Sequence, residues 1–459
     1  MKQIKAPMKT TIAICGHQNT VENTSYRYTK HCVKVPCEDG VLLCHTLTGE
    51  LVLVGRGEDS ESTTQQLIKS WFLVPEDFDE CKWADEVRHI AKLLRTRNSG
   101  KSHFTILTTT DCNARCFYCY EMGMRRYTMT AKTARDVGEY IARVCKGKKV
   151  TISWFGGEPL LNREPIEIIS RALQERGIPF DAIITSNGYY LDTAVAEKAA
   201  RDWHIISAQI TIDGTEENYN RTKAYINCDE QSPYRRVLDN IGHALDAGMC
   251  VNVRLNMDRA NADDLFAVVE ELAERFGPRP ELSVHVALLK KLVGDIHAFT
   301  SGEEALSYRN GIEDKLRELG YLRETEYHPG LSTNQCMADN DSCEVILPDG
   351  RIEKCEHLDE KEIVGDIYSE NRDKEIIESW KETVRFSNCA DCALYPKCVS
   401  LKKCPWMQEG CSQSRQLSQL KKMEQQICSY YYDSRNKKDD AGREADIEYA
   451  VGGSQWLID

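Results

Sequence analysis

The chain has 459 residues, with 59 Lys and Arg against 72 Asp and Glu and a formal charge of -13. That length suits two to four domains with room for a large core, and the acidic balance excludes bulk binding of a phosphate backbone, which needs clustered positive charge. No run reaches the roughly 18 apolar residues of a membrane span, and the lysine-bearing N-terminus precedes an apolar run too short for a secretory signal. The chain is therefore expected in the cytoplasm, binding neither membrane nor nucleic acid. Its 20 cysteines, kept reduced there, point to metals or clusters and not to disulfides.

Residues 1–98 read as a small α+β region. YRYTKHCVKVP and GVLLCHTLTGELVLV form strands with a hairpin at LTGE, and TTQQLIKSWFLV and ADEVRHIAKLLRTR form helices. RNSGK at 97–101 is a linker. Residues 99–325 alternate strand and helix six times. The strands fall at 104–109, 149–155, 180–186, 205–212, 250–257 and 281–288, and the helices at 130–145, 164–177, 193–203, 234–248, 261–277 and 301–320. Such repetition gives a parallel α/β sheet, a barrel or a doubly wound sheet, and six units fall short of the eight that close a barrel. Residues 326–432 are loop-rich and cysteine-dense up to a helix at 414–432. Residues 433–459 read as a polar, mobile tail.

Cys112-x3-Cys116-x2-Cys119 sits directly after the first barrel strand. Three thiolates so spaced hold three irons of a cubane and leave the fourth open to an outside ligand, whereas ordinary four-iron sites use four thiolates. A zinc site is the plain alternative. TTTDCNARCFYCYEMG resembles the cluster loop of the radical S-adenosylmethionine (SAM) enzymes. The resemblance implies a partial (β/α)6 TIM-type barrel. It also implies that SAM chelates the open iron and is cleaved to a 5′-deoxyadenosyl radical, with Tyr118 packed near the adenine.

Further motifs follow successive strands in order. Gly156-Gly157-Glu158-Pro159 follows the second, its glycines allowing close backbone approach and its carboxylate suited to the SAM ammonium. Asn187 follows the third as a ribose partner, Thr211 and Asp213 the fourth, and Arg254 and Asn256 lie on the fifth. Relatives carry DG-x4-H-D-x2-R after the fourth strand, the arginine near the SAM carboxylate. Here Tyr219 and Lys223 hold the His and Arg positions, and a lysine offers a point charge in place of a planar fork. Arg221 or Arg254 are the candidates to compensate.

The C-terminal cysteines are similar to the SPASM extension of this family, which binds two auxiliary clusters, so the resemblance implies three [4Fe–4S] clusters in all. By position, Cys336, Cys343, Cys355 and Cys404 hold the first auxiliary cluster, and Cys389, Cys392, Cys398 and Cys411 the second, with Cys428 the alternative last ligand. The x5 spacing from Cys398 to Cys404 departs from the family's x3. Two structural zinc sites are the alternative. The other cysteines, Cys81 among them, read as small buried apolar residues.

By this resemblance the chain is expected to be a radical SAM/SPASM maturase, installing a thioether or carbon–carbon cross-link or a related oxidation in a ribosomally made precursor peptide. A reducing protein such as flavodoxin or ferredoxin would supply electrons. A sulfatase-type formylglycine maturase and a non-catalytic zinc or iron–sulfur protein are the rival readings. The N-terminal sheet weakly resembles a leader-peptide recognition domain, which would add the leader as a strand; a scaffold role is the alternative. Glu356 is the candidate catalytic base, with His357 beside it, and His285 lies on the sixth strand.

Overall fold

The structure, a computed structural model, describes residues 1–5, 25–57, 60–96, 100–226, 228, 231–289, 296–321, 336–357, 362–396, 400–404, 411 and 413–440. These form two compact units. One holds the described residues of 1–98 and 382–440, the other those of 99–322 and 336–381.

In the first unit, β1 (Lys2–Lys5), β3 (Cys32–Cys37), β4 (Gly40–His45) and β5 (Leu51–Gly55) form an antiparallel sheet in the order β1-β5-β4-β3. β2 (Tyr26–Tyr28) pairs instead with β6 (Leu73–Pro75). YRYTKHCVKVP therefore splits at Thr29–His31 into strands of two different sheets. The helices are α1 (Glu61–Lys69), capped by the Ser60 hydroxyl accepting from Thr63 N, and α2 (Glu80–Thr96). One face of the larger sheet buries Leu43 and Val52 against Leu67, Ile68 and Phe72.

The second unit is built on the expected alternation. Its strands β7 (His103–Thr109), β8 (Val150–Gly156), β9 (Phe180–Ser186), β10 (Ile205–Ile212), β11 (Cys250–Met257) and β12 (Leu282–Leu288) pair in parallel, each beside the next. Between and after them run α3 (Ala131–Val144), α4 (Glu164–Glu175), α5 (Thr193–Arg201), α6 (Glu216–Lys223), α7 (Pro233–Asp246), α8 (Leu265–Phe276) and α9 (Gly302–Glu318). Each barrel strand starts or stops within a residue of its expected bounds. Helix α6, polar and eight residues long, escaped the reading because it has almost no apolar stripe.

Buried parallel strands are apolar on both faces, but these are not. Ile152, Trp154, Ala182, Ile184, Ala208, Ile210, Val251 and Val253 are buried in one core with Val137, Ile141, Ile169 and Leu173 of the helices. Alternate residues Thr151, Ser153, Asp181, Thr185, Gln209, Thr211, Asn252 and Arg254 are half-buried and polar. A polar second face is what an incompletely closed barrel needs where it meets solvent or a ligand.

The sheet continues past β7. β13 (Cys343–Ile346) pairs with β7 in parallel, β14 (Arg351–Glu353) folds back on β13, and β15 (Gly365–Asp366) pairs with β14. The nine-stranded order is β12-β11-β10-β9-β8-β7-β13-β14-β15, an open α/β barrel of six units widened at one side. The first strand of the cysteine-rich segment is thus part of the barrel sheet. Helix α10 (Lys374–Ser379) ends this unit. Strands β16 (Thr383–Val384) and β17 (Ser400–Leu401) and helix α11 (Gln413–Asp440) return to the first unit. There Met423, Ile427 and Tyr431 of α11 pack on Val33, Val35 and Leu42. The helix runs eight residues beyond the expected 432, into what read as tail; 441–459 lie outside the described residues.

Candidate active site

The second unit gathers its chemistry at the carboxyl ends of the parallel strands. β7 leads straight into the loop of Cys112, Cys116 and Cys119. The loop is held by backbone contacts that only glycine permits: a Cβ on Gly156 would meet Thr109 O at 2.1 Å, and one on Gly157 would meet Asp111 O at 2.4 Å. Gly156 also stands at φ +117°, outside ordinary L-residue space. The two glycines thus serve the approach of the strand-two turn to the cluster loop.

Glu158 follows them, fully buried. Its carboxylate accepts from Leu160 N at 3.0 Å, Ser186 Oγ at 2.9 and 3.1 Å, and Asn187 N at 2.8 Å. Burial pushes its pKa up to about 7 against these bonds. Protein donors thus hold the carboxylate that the sequence reading assigned to the SAM ammonium. Asn187 turns to the loop instead of to solvent: its Nδ2 donates to Asn113 Oδ1 at 2.7 Å and lies 3.7 Å from Cys112 Sγ.

A second buried network faces the loop from β10 and α6. Tyr118 donates to Asp213 Oδ2 at 2.8 Å and accepts from Lys223 Nζ at 3.0 Å and Asn256 Nδ2 at 3.1 Å. Lys223 also donates to Thr211 Oγ1 at 2.7 Å and pairs with Asp213 at 2.9 Å. The lysine and aspartate are 2% and 0% exposed, so this pair stands out of water. Asp213 holds the ammonium charged although burial opposes it. Lys223 is therefore engaged by the protein, not open to the SAM carboxylate as expected, and the Tyr118 hydroxyl is a hub of this network. Arg254 Nε donates to Asn256 Oδ1 at 2.9 Å on the polar strand face, while Arg221 turns outward to Asn218. Of the two compensating cations, Arg254 lies on the site side. His285 sits beside Arg254 in the β11–β12 register.

Burial raises the thiol pKa values of Cys116 and Cys119 and that of Cys112 to about 12, while the Lys223 ammonium opposes the rise at Cys116 and Cys119. Three soft donors in one loop, coupled to one another, suit an iron–sulfur cluster. Asp213 Oδ1, fully buried with no hydrogen-bond partner, is an acceptor for a ligand N–H or O–H. The residues therefore fit a cluster with SAM beside it. Among the described residues no group of three or more His, Cys, Asp and Glu side chains has the geometry to hold a metal ion; the fit rests on the donor set and its surroundings.

In the hairpin of β13 and β14, Val345 faces Glu353 and Ile346 faces Ile352. Cys343 opens β13, and Cys355 follows the end of β14 by two residues. Gly350 makes the turn at φ +88°, a conformation that favours glycine. Beside Cys355, the His357 ring lies 4.3 Å from that of Tyr120. The Tyr120 hydroxyl feels Glu121 and Glu356 as well as Cys119 and Cys355, so this tyrosine links the two cysteine loops. Burial raises the Glu356 carboxyl and carries Glu121 to about 7. Glu121 and Tyr120 escaped the sequence reading because nothing local marks them. Cys336 belongs to this unit and Cys404 to the other.

In the first unit, Cys389 and Cys392 are buried with Leu47, Ala84, Val87 and Tyr395. Asn388 Nδ2 donates to Cys411 O at 2.5 Å, bringing the Cys411 backbone to the residue before Cys389, whereas Cys428 packs among the apolar residues under the sheet. Cys398 lies outside the described residues. Lys30 Nζ donates to Cys81 Sγ at 2.9 Å and Ala390 O at 2.8 Å. Cys81, read as an apolar filler, is thus a polar neighbour of the Cys389 turn.

Residues 106–272 match the model of the radical SAM superfamily. That stretch is similar to a radical SAM domain. The chain is 31% identical over 121 residues to an uncharacterized protein of Methanocaldococcus jannaschii, covering 26% of this chain and 41% of that one. It is 31% identical over 157 residues to a probable GTP 3',8-cyclase of Methanocella arvoryzae, covering 34% and 47%. The chain thus spans less than half the length of these curated relatives. In fold, residues 106–272 and their surroundings resemble anSMEcpe with bound AdoMet, TM-score 0.52 at 13% identity over 74% of this chain and 96% of that one. They also resemble Streptococcus suis SuiB, TM-score 0.50 at 14% identity over 81% and 94%. Among the described residues no helix is long and apolar enough to cross a membrane.

Proposed function

We propose that this protein is a radical SAM/SPASM enzyme that modifies a ribosomally made peptide. The observation that carries the reading is the cysteine loop at the carboxyl end of β7, buttressed by Gly156, Gly157, Asn187 and the Tyr118–Asp213–Lys223 network. When bound, a [4Fe–4S] cluster and SAM supply reductive cleavage to a 5′-deoxyadenosyl radical able to abstract an unactivated hydrogen. Cys112, Cys116 and Cys119 would hold the cluster. Asp213 and Arg254 are the polar groups placed to bind SAM, and the buried network orients the loop and excludes water.

The peptide substrate is supported by the open side of the barrel and by Cys355 and His357 beside Tyr120; a structure of anSMEcpe contains AdoMet and a peptide. Glu356, with its buried Oε2 unpartnered, is the proposed proton acceptor on the substrate. Cys336, Cys343, Cys355 and Cys404 are the proposed ligands of one auxiliary cluster, and Cys389, Cys392, Cys398 and Cys411 of the other. The Asn388–Cys411 contact supports Cys411 over Cys428. Cross-linking is the favoured outcome, formylglycine formation the second. The outer strands of the N-terminal sheet, β1 and β3, are the proposed leader site, and flavodoxin or ferredoxin the proposed reductant.

The test is anaerobic reconstitution with iron and sulfide, then dithionite and SAM. The wild type should form 5′-deoxyadenosine and the Cys116→Ala variant should not. Zinc in place of iron in anaerobically purified protein, or equal product from both proteins, would refute the reading.

A further inference from the structure

Lys223 ends helix α6 with its stem between two rings, its Nζ 5.7 Å from the Tyr118 centroid and 5.6 Å from that of Tyr219. An ammonium has three N–H donors. Here Asp213, Thr211 and Tyr118 supply three acceptors at 2.7 to 3.0 Å. No donor is left for an incoming carboxylate, and the charge cannot swing toward one without breaking a buried bond. The helix end is also tied to the cysteine loop through Arg115 N, which donates to Lys223 O at 2.8 Å. The ammonium is thus a fixed, nearly dry positive charge at the base of the loop. Lys223 Nζ donates to the hydroxyl of Tyr118, a residue between Cys116 and Cys119 in the loop, and Asp213 stands beside it with the opposite charge.

We propose that Lys223 is a positioning residue that sets the reduction potential of the cluster held by Cys112, Cys116 and Cys119, with Asp213 as its partial counterweight. Reduction adds one electron to the cluster from a one-electron reductant and makes or breaks no bond. The cluster becomes more negative, a buried positive charge favours that state, and the potential rises. Tyr118 and Thr211 act by holding the charge still. This inference rests on the function proposed above.

The experiment uses the full chain, reconstituted anaerobically and titrated with dithionite. It follows the EPR signal that changes when SAM is added, which marks this cluster. Lys223→Met should lower the reduced-to-oxidised ratio at a fixed poise about tenfold, or about 59 mV for a one-electron couple. Asp213→Asn should raise it, and Lys223→Arg should restore it to within about twofold, since the charge is kept. Each single neutral variant strands a buried charge and is at risk of misfolding, so the double variant Lys223→Met with Asp213→Asn removes both. Its potential should also fall, because the lysine is the member of the pair tied to the loop through Arg115. A double variant with full iron and an unmoved potential would overturn the inference, as would shifts of one sign in both single variants. Loss of iron from the double variant would overturn it too, by making the pair a structural brace. Absence of iron from the wild type would instead sink the functional reading beneath it.

Discussion

Glu158 shows how much one side chain can hold. Its carboxylate joins the turn after β8 to the end of β9 through bonds from Leu160 N, Ser186 Oγ and Asn187 N. Hydrogen bonds to a charged group contribute roughly 1.5–3 kcal/mol each, and orphaned donors add a cost. Glu158→Ala should therefore lose about 3–5 kcal/mol in urea denaturation, and Glu158→Gln less, since the amide oxygen still accepts. A change below about 1 kcal/mol would refute a structural role. In the first unit, buried His31 and His45 stack at 6.2 Å, and burial carries both pKa values down to about 3. Below about 6.5 the unfolded chain takes up protons that the folded one refuses, so stability falls as pH drops toward 3, by up to about 1.4 kcal/mol per unit for each histidine. Denaturation of the wild type and His45→Phe at pH 7.5 and 5.5 should show the smaller loss in the variant. Equal losses would show that His45 carries none of the effect.

At the scale of elements, the cluster loop and the turn after β8 form one backbone contact. Gly157→Ala puts a methyl 2.4 Å from Asp111 O, where the obstacle is main chain that cannot rotate aside. Overpacking of this kind costs about 1–3 kcal/mol, and it also displaces the loop. The variant should keep the fold by circular dichroism and retain less iron after gel filtration. Full iron retention would show that the loop tolerates the shift. The six barrel strands were legible in the sequence because each is a short β-branched run bounded by turn residues. The widening of the sheet by β13 to β15 was not, because strands of two to four residues carry no period. The pairing of β13 with β7 depends on contacts more than 200 residues apart, as in Val345 beside Thr105.

For the whole molecule, Cys112 and Cys389 lie in different units and are proposed for different clusters, which separates the effects of their loss. Cys389→Ala should remove about a third of the iron, since one of the three proposed four-iron clusters loses a ligand, and leave reductive SAM cleavage in place. Cys112→Ala should abolish cleavage while leaving the auxiliary iron. Iron assay and 5′-deoxyadenosine chromatography on both variants check this together. Loss of cleavage in Cys389→Ala would mean that electrons reach the first cluster through the second.

Local order along the chain was enough for the cysteine loop after β7, the glycines after β8 and the parallel barrel. Each depends on spacing within a few residues or on a repeat that one stretch of backbone carries. The tertiary structure alone decided the partners of buried charge. Glu158 is occupied by β9, Lys223 is locked to Asp213, Cys81 lies under Lys30, and Glu121 and Tyr120 meet Glu356 and His357. Such pairings depend on which distant side chains share a region without water, and only folding brings those side chains together.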